Sequence, residues 1–228
     1  MTANARAYVA EFLGTFFLCF AGIAAILSGT PAVGAGGGLL AIALAHGLAL
    51  SVAVNAFGGI SGAHFNPAVT IGMVVTRRIG PAAAGVYILV QLLGATVAAL
   101  ICRAIFPPLA VQQGLLGIPL PQAWVTTGGI LIAEITMAFL LMIAIYGTAI
   151  DDRGRAVKIG GFGIGLTVAF NILAAGAVTG ASMNPARSFG PALVAGIWDF
   201  HIWYWIGPII GAVAAAVLYE RVLLERRN

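Results

Sequence analysis

The sequence predicts an all-α membrane protein with six transmembrane helices and two re-entrant half-helices. Three observations carry that expectation. First, 61% of the 228 residues are hydrophobic and only 8% are charged. A soluble domain carries about 25% charged residues, so this chain could not cover its surface in water. Second, apolar runs of spanning length lie at about 8–28, 38–57, 82–105, 127–149, 159–177 and 202–222. Third, one short pattern occurs twice, each time behind an apolar run: Ser61-Gly62-Ala63-His64-Phe65-Asn66-Pro67-Ala68-Val69-Thr70 and Thr179-Gly180-Ala181-Ser182-Met183-Asn184-Pro185-Ala186-Arg187-Ser188.

The first run is long and lacks a cleavage site, so it reads as a span and not as a removed signal. It opens on Ala10-Glu11-Phe12, with a carboxylate in an apolar helix where a bare charge is expensive. The second run leads into the first short pattern. Asn66 suits an N-cap, and Pro67 suits the first helical turn, where its missing N–H costs nothing. The segment from Pro67 to about Thr76 is apolar but short. At about 1.5 Å per residue it spans roughly half of a ~30 Å hydrocarbon core. The segment from Pro185 to about Ala195 repeats this after the fifth run.

The third run follows Arg77 and Arg78, and the connection 106–123 after it, with four prolines, reads as the longest loop. The fourth run contains Ala133-Glu134-Ile135, which matches Ala10-Glu11-Phe12, as Phe139 matches Phe16. Gln91-Leu92-Leu93-Gly94-Ala95 in the third run lines up with Pro208-Ile209-Ile210-Gly211-Ala212 in the sixth. One transmembrane domain is therefore expected over 1–228, with repeat halves at about 1–106 and 124–228 joined by an external loop, 107–123. Three spans per half invert the second half, and inverted repeats with broken helices place a site near the midplane.

Charge sets the orientation. Arg6, Arg77, Arg78, Arg153, Arg155, Lys158, Arg221, Arg226 and Arg227 all flank spans on one side, leaving Arg103 and Arg187 elsewhere. The positive-inside rule puts both termini in the cytoplasm. The net charge of +4 does not indicate nucleic acid, because the basic residues form no separate face. Cys19 and Cys102 lie in different spans and imply no disulfide framework. His64 has no suitably spaced His or Cys partner, so neither metal nor cofactor is expected. His201 reads as interfacial, and Asp151 and Asp152 as a solvated turn.

Some site roles follow from the residues. Asn66 and Asn184 would cap two half-helices whose positive ends meet at mid-membrane, and their amides would offer N–H donors to whatever passes. Glu11 and Glu134 would accept N–H groups from the re-entrant loops. Arg187, matched by Val69 in the first pattern, would line the outer part of a water-filled passage.

The paired Asn-Pro-Ala boxes, 118 positions apart, resemble those of the aquaporin (major intrinsic protein) family, and the likeness covers nearly the whole chain. The resemblance implies an aquaporin-like fold, a pore centred on Asn66, Pro67, Ala68, Asn184, Pro185 and Ala186, and a homotetramer with one pore per subunit. It implies a selectivity filter of His46, Ile172, Ala181 and Arg187. That set is similar to the filter of plant tonoplast intrinsic proteins, because strict water channels carry Phe and His at the first two positions. His46 is then expected to offer the permeant one donor and one acceptor. Ser188 and Ala192 depart from the Asp and Lys of glycerol facilitators, and Tyr204-Trp205 resembles the water-selective branch.

The reading is a passive channel in the cell membrane, surrounded by lipid, for water and small neutral solutes such as ammonia, hydrogen peroxide or urea, excluding protons and ions. The alternatives are a facilitator of ammonia, urea or glycerol as its main role, a coupled transporter, and a junction protein of the same fold. No nucleophile–base pair suggests an enzyme.

Overall fold

A computed structural model describes residues 2–157 and 159–225, all helix, turn or irregular chain. The basic residues Lys158, Arg226 and Arg227 lie outside them. The long helices are α1 (Ala3–Ser28), α2 (Gly38–Ser61), α4 (Pro81–Ile105), α6 (Thr127–Ile145), α8 (Gly160–Thr179) and α10 (Trp203–Leu218). Counting the turns that extend α6 and α10, six helices among the described residues are long and apolar enough to cross a membrane. The half-length helices are α3 (Pro67–Val75) and α9 (Pro185–Ala195). Each starts as Asn-Pro chemistry requires: the side chain of Asn66 accepts from Ala68 N, and that of Asn184 from Ala186 N and Arg187 N.

Connection 106–123 is more ordered than a loop. It holds α5 (Pro108–Gln113) and a tight turn at Leu115–Gly117. Pro108 sits at the N-terminus of α5, where proline is pre-organised for helix, and Leu116 is buried against α1 and α4 residues. A further short helix, α7 (Asp152–Arg155), is capped by Asp151.

α1 packs on α2 and α4, α10 packs on α6 and α3, α2 crosses α8, and α4 packs on α9. The crossings are close because glycines face backbone. A methyl on Gly47 of α2 would lie 2.7 Å from the carbonyl oxygen of Gly165 on α8, and one on Gly165 would overlap the carbonyl of Gly47. Gly94 abuts the Phe12 carbonyl on α1, and Gly211 abuts the Ile135 carbonyl on α6. In a membrane, where no hydrophobic force drives helices together, such small-residue contacts let dispersion do the packing.

α6 and α10 both end in one wide turn, Tyr146–Ile150 and Tyr219–Leu223. The two tyrosine rings are 5.3 Å apart. Tyr219 donates to Asp151 Oδ2 at 3.2 Å, and Arg153 reaches both Asp151 and the Leu223 carbonyl, the latter at 2.6 Å. Arg78 pairs with Glu220 at 2.8 Å. This clasp ties the ends of α6 and α10 to each other and to Arg78.

Candidate functional site

The two Asn-Pro-Ala boxes meet head to head. Asn66 Nδ2 donates to the Met183 carbonyl and Asn184 Nδ2 to the Phe65 carbonyl, both at 2.9 Å. An amide has two N–H donors, so each asparagine keeps one for the cavity that both line. The loops leading into the boxes are strained alike. Ala63 (φ 53°) and Phe65 (φ 50°) match Ala181 (φ 44°) and Met183 (φ 56°). Left-handed backbone costs a non-glycine residue about 1–2 kcal/mol and persists only where its surroundings over-determine it.

Two buried carboxylates supply that determination. Glu11 accepts from Ser61 Oγ (2.7 Å), His64 N (2.9 Å), Phe65 N (2.7 Å) and Gln91 Nε2 (2.8 Å). Glu134 accepts from Thr179 Oγ1 (2.9 Å), Ser182 N (3.0 Å) and Met183 N (2.7 Å). Backbone N–H groups that helix geometry leaves unpaired are thus satisfied without water. Gln91 also donates to Thr70 Oγ1 at 3.1 Å; proline occupies the matching position 208.

A narrow cavity runs past the boxes. His46, Ile172, Ala181 and Arg187 converge on it. Arg187 Nη1 donates to the Gly117 carbonyl at 2.8 Å, while its Nε is buried without a protein acceptor among the described residues. His46 Nδ1 lies 2.8 Å from the Ile42 carbonyl. A carbonyl only accepts, so Nδ1 carries the proton and a neutral His46 offers the cavity an acceptor, Nε2, alone. This corrects the expectation of one donor plus one acceptor: the ring's donor is spent on its own helix.

Ser188, Ala192, Tyr204 and Trp205, read in the sequence as markers of the permeant, do not line this cavity. Ser188 sits behind the second box, 2.5 Å from Ser182 Oγ. Ala192 is buried and its carbonyl caps α9 through Gly196 N. Tyr204 donates to the Thr179 carbonyl at 2.6 Å, and Trp205 Nε1 donates to His201 Nε2 at 3.0 Å. Any influence of Tyr204 therefore passes through the box loop it holds. Tyr87 does the same for the first loop, donating to the Ser61 carbonyl at 2.8 Å. Pro67, Ala68, Pro185 and Ala186 are buried beside the asparagines as the first turns of α3 and α9.

Sequence reasoning missed the apolar wall and His64. The wall includes Leu141 and Ile145 of α6 and Ile164 and Val168 of α8. Their spacing of four, continued by Ile172, is the one signal that marks a single helix face. His64 lines both this cavity and the adjoining one that opens beside Arg78 and Arg155. Its Nδ1 is 3.1 Å from Thr70 Oγ1. The Thr70 hydroxyl proton goes to the Asn66 carbonyl at 3.0 Å, so His64 Nδ1 is the donor. A second imidazole acceptor is thereby left for the passage.

Known proteins resemble this chain over nearly its whole length. A family model described as Major intrinsic protein matches residues 1–219. The chain is 41% identical to Aquaporin TIP4-4 of Zea mays, over 97% of this chain and 88% of that protein. It is 44% identical to Glycerol uptake facilitator protein-like 6 of Lactiplantibacillus plantarum, over 92% of this chain and 95% of that one. Its fold is similar to the X-ray structure of the aquaglyceroporin from Plasmodium falciparum, with a TM-score of 0.86, 23% identity, and 96% and 97% of the two chains covered.

Proposed function

Because the chain belongs to the major intrinsic protein family, whose members are channels, we propose that it is a passive membrane channel for water that also passes small neutral solutes such as ammonia. The observation that carries this reading is the cavity threaded between the two asparagine boxes, with polar atoms on one side and an apolar wall on the other. Water can accept from Asn66, Asn184 and Arg187 and donate to His46 and His64 while sliding past Ile172, Val168 and Ile164. Cations meet the positive ends of α3 and α9 together with the Arg187 charge.

In this reading His46, Ile172, Ala181 and Arg187 form the filter, Asn66 and Asn184 the pore centre, and Glu11 and Glu134 the loop supports. The protein resides in the cell membrane as a homotetramer, with both termini cytoplasmic and Arg187 towards the outside. Ile172 and Ala181 leave one filter wall apolar and uncrowded, which favours ammonia or peroxide as second permeants. A solute facilitator is the second reading, favoured by the 44% identity to a relative named a glycerol uptake facilitator.

Stopped-flow light scattering on proteoliposomes tests both, with water, ammonia, urea and glycerol on one preparation. Water permeability well above empty liposomes, with glycerol near background, supports the first reading. Fast glycerol with slow water supports the second. Water or glycerol flux that depends on a pH gradient would overturn both in favour of coupled transport.

A further inference from the structure

Three residues spaced four apart on α1, Gly14, Leu18 and Gly22, present one helix face to the passage. Leu18 lines the cavity. Gly14 receives the ring of Phe65 and Gly22 receives the ring of His46. A methyl built on Gly22 would overlap His46 at Nε2 and Cε1 and come within 2.6 Å of Cδ2. The ring has little freedom to yield. It is 3% exposed, and its Nδ1 is held by the Ile42 carbonyl at 2.8 Å.

We infer that Gly22 is a specificity-determining positioning residue: its bare backbone is the seat that holds the His46 imidazole back from the lumen and fixes where the Nε2 acceptor stands opposite Ile172. The inference rests on the channel reading. With a side chain at position 22, the imidazole must break its bond to Ile42 or swing into the passage beside Arg187. Either movement changes both the width of the filter and the direction of its acceptor. Gly22 touches no permeant itself and acts only through His46.

The test is a cycle of Gly22→Ala, His46→Ala and the double variant, reconstituted at matched protein content, with water and ammonia permeabilities measured on each. Gly22→Ala should lose water permeability on the order of tenfold, the scale of a coupling between touching side chains, and should change the ammonia-to-water ratio. The double variant should return to the permeabilities of His46→Ala, because without the ring the added methyl has room. Wild-type flux from Gly22→Ala, or a double variant as poor as Gly22→Ala, overturns the seat and leaves Gly22 as a helix-packing glycine. Where Gly22→Ala alone fails to reconstitute, the double variant decides: equality with His46→Ala supports the seat, and failure of both overturns it. A wild-type protein with no permeability above empty liposomes sinks the channel reading itself, a result distinct from any of these.

Discussion

Arg187 is tied to Gly117, 70 residues earlier in the chain, by a 2.8 Å bond from Nη1 to the carbonyl. Its guanidinium is therefore held by the Leu115–Gly117 turn as well as by its own half-helix. That turn is anchored in its own right, since Leu116 is buried with a left-handed backbone (φ 51°). A charge fixed from two sides keeps its place as permeants pass.

Arg187→Val should therefore admit protons or sodium while water continues to pass. Asn66→Asp should weaken exclusion as well, because it places a carboxylate at the meeting point of two positive helix ends. Both are measured as ion leak in liposomes loaded with a pH- or sodium-sensitive dye. Variants as ion-tight as the wild type would move the barrier to other residues.

Ile172→His should make the filter narrower and more polar. It replaces an apolar wall with a ring opposite the His46 acceptor. Ammonia and peroxide flux should fall more than water flux in the same vesicles. Equal loss of every flux, or no loss, would show that Ile172 does not set solute choice.

The two carboxylates should differ in tolerance to amidation. In Glu134→Gln the new NH2 group faces either Met183 N or the pair of Ser182 N and Thr179 Oγ1. A donor then meets a donor, at about 1–3 kcal/mol for each group left unsatisfied. Glu11→Gln has a partial escape: an NH2 in the Oε2 place deprives Phe65 N of its acceptor, but that NH2 can itself find one. Gln91 carries an unpaired buried Oε1, and turning its amide over presents that oxygen to the new NH2. The thermal midpoint in detergent should fall further for Glu134→Gln than for Glu11→Gln. Gln91→Leu combined with Glu11→Gln should abolish the difference.

Asp151 sets the pH response of the clasp between the ends of α6 and α10. Hydrogen bonds from the Arg153 guanidinium and backbone N–H lower its carboxyl from 3.8 to about 2. A depressed carboxyl stabilises the folded state above its unfolded value, and that stabilisation is lost as pH falls through the folded value. The clasp should therefore hold unchanged above about pH 5 and open between roughly pH 4 and pH 2. Spin labels at the exposed positions Arg155 and Val222 would report the separation. Opening near neutral pH, or an Asp151→Asn variant that stays closed, would contradict this assignment.

The architecture was legible because bilayer physics writes it plainly. Spans must be long and apolar, and a span cut to half its length behind Asn-Pro points to a helix that enters the membrane and stops midway. Connection 106–123 was less legible, since four prolines suggest irregular chain while two of them in fact flank or start α5. At the site, residue types named candidates but not directions. Nothing in the sequence says that the imidazole proton of His46 is spent on Ile42, or that Tyr204 points at a loop carbonyl and away from the lumen. Those facts depend on rotamers and on which helix lies opposite. The apolar wall was hidden because leucines, isoleucines and valines facing lipid look the same as those facing a passage.

The crosswise bonds of the two asparagines also set a timetable for synthesis. The acceptor for Asn66 is the carbonyl of Met183, 117 residues further along. At ribosomal speed the first box must wait roughly 6–23 s for its partner to be made. During that interval the amide lacks this acceptor, and the strained loop is held by Glu11 of α1 at Phe65 N and by Tyr87 of α4 at the Ser61 carbonyl. The first box is consequently assembled in two stages, a provisional one held by α1 and α4 and a final one when α9 descends beside it. A ribosome stalled before Met183 would leave a membrane-inserted chain with an open polar notch, the form an insertion chaperone or quality-control protease would meet.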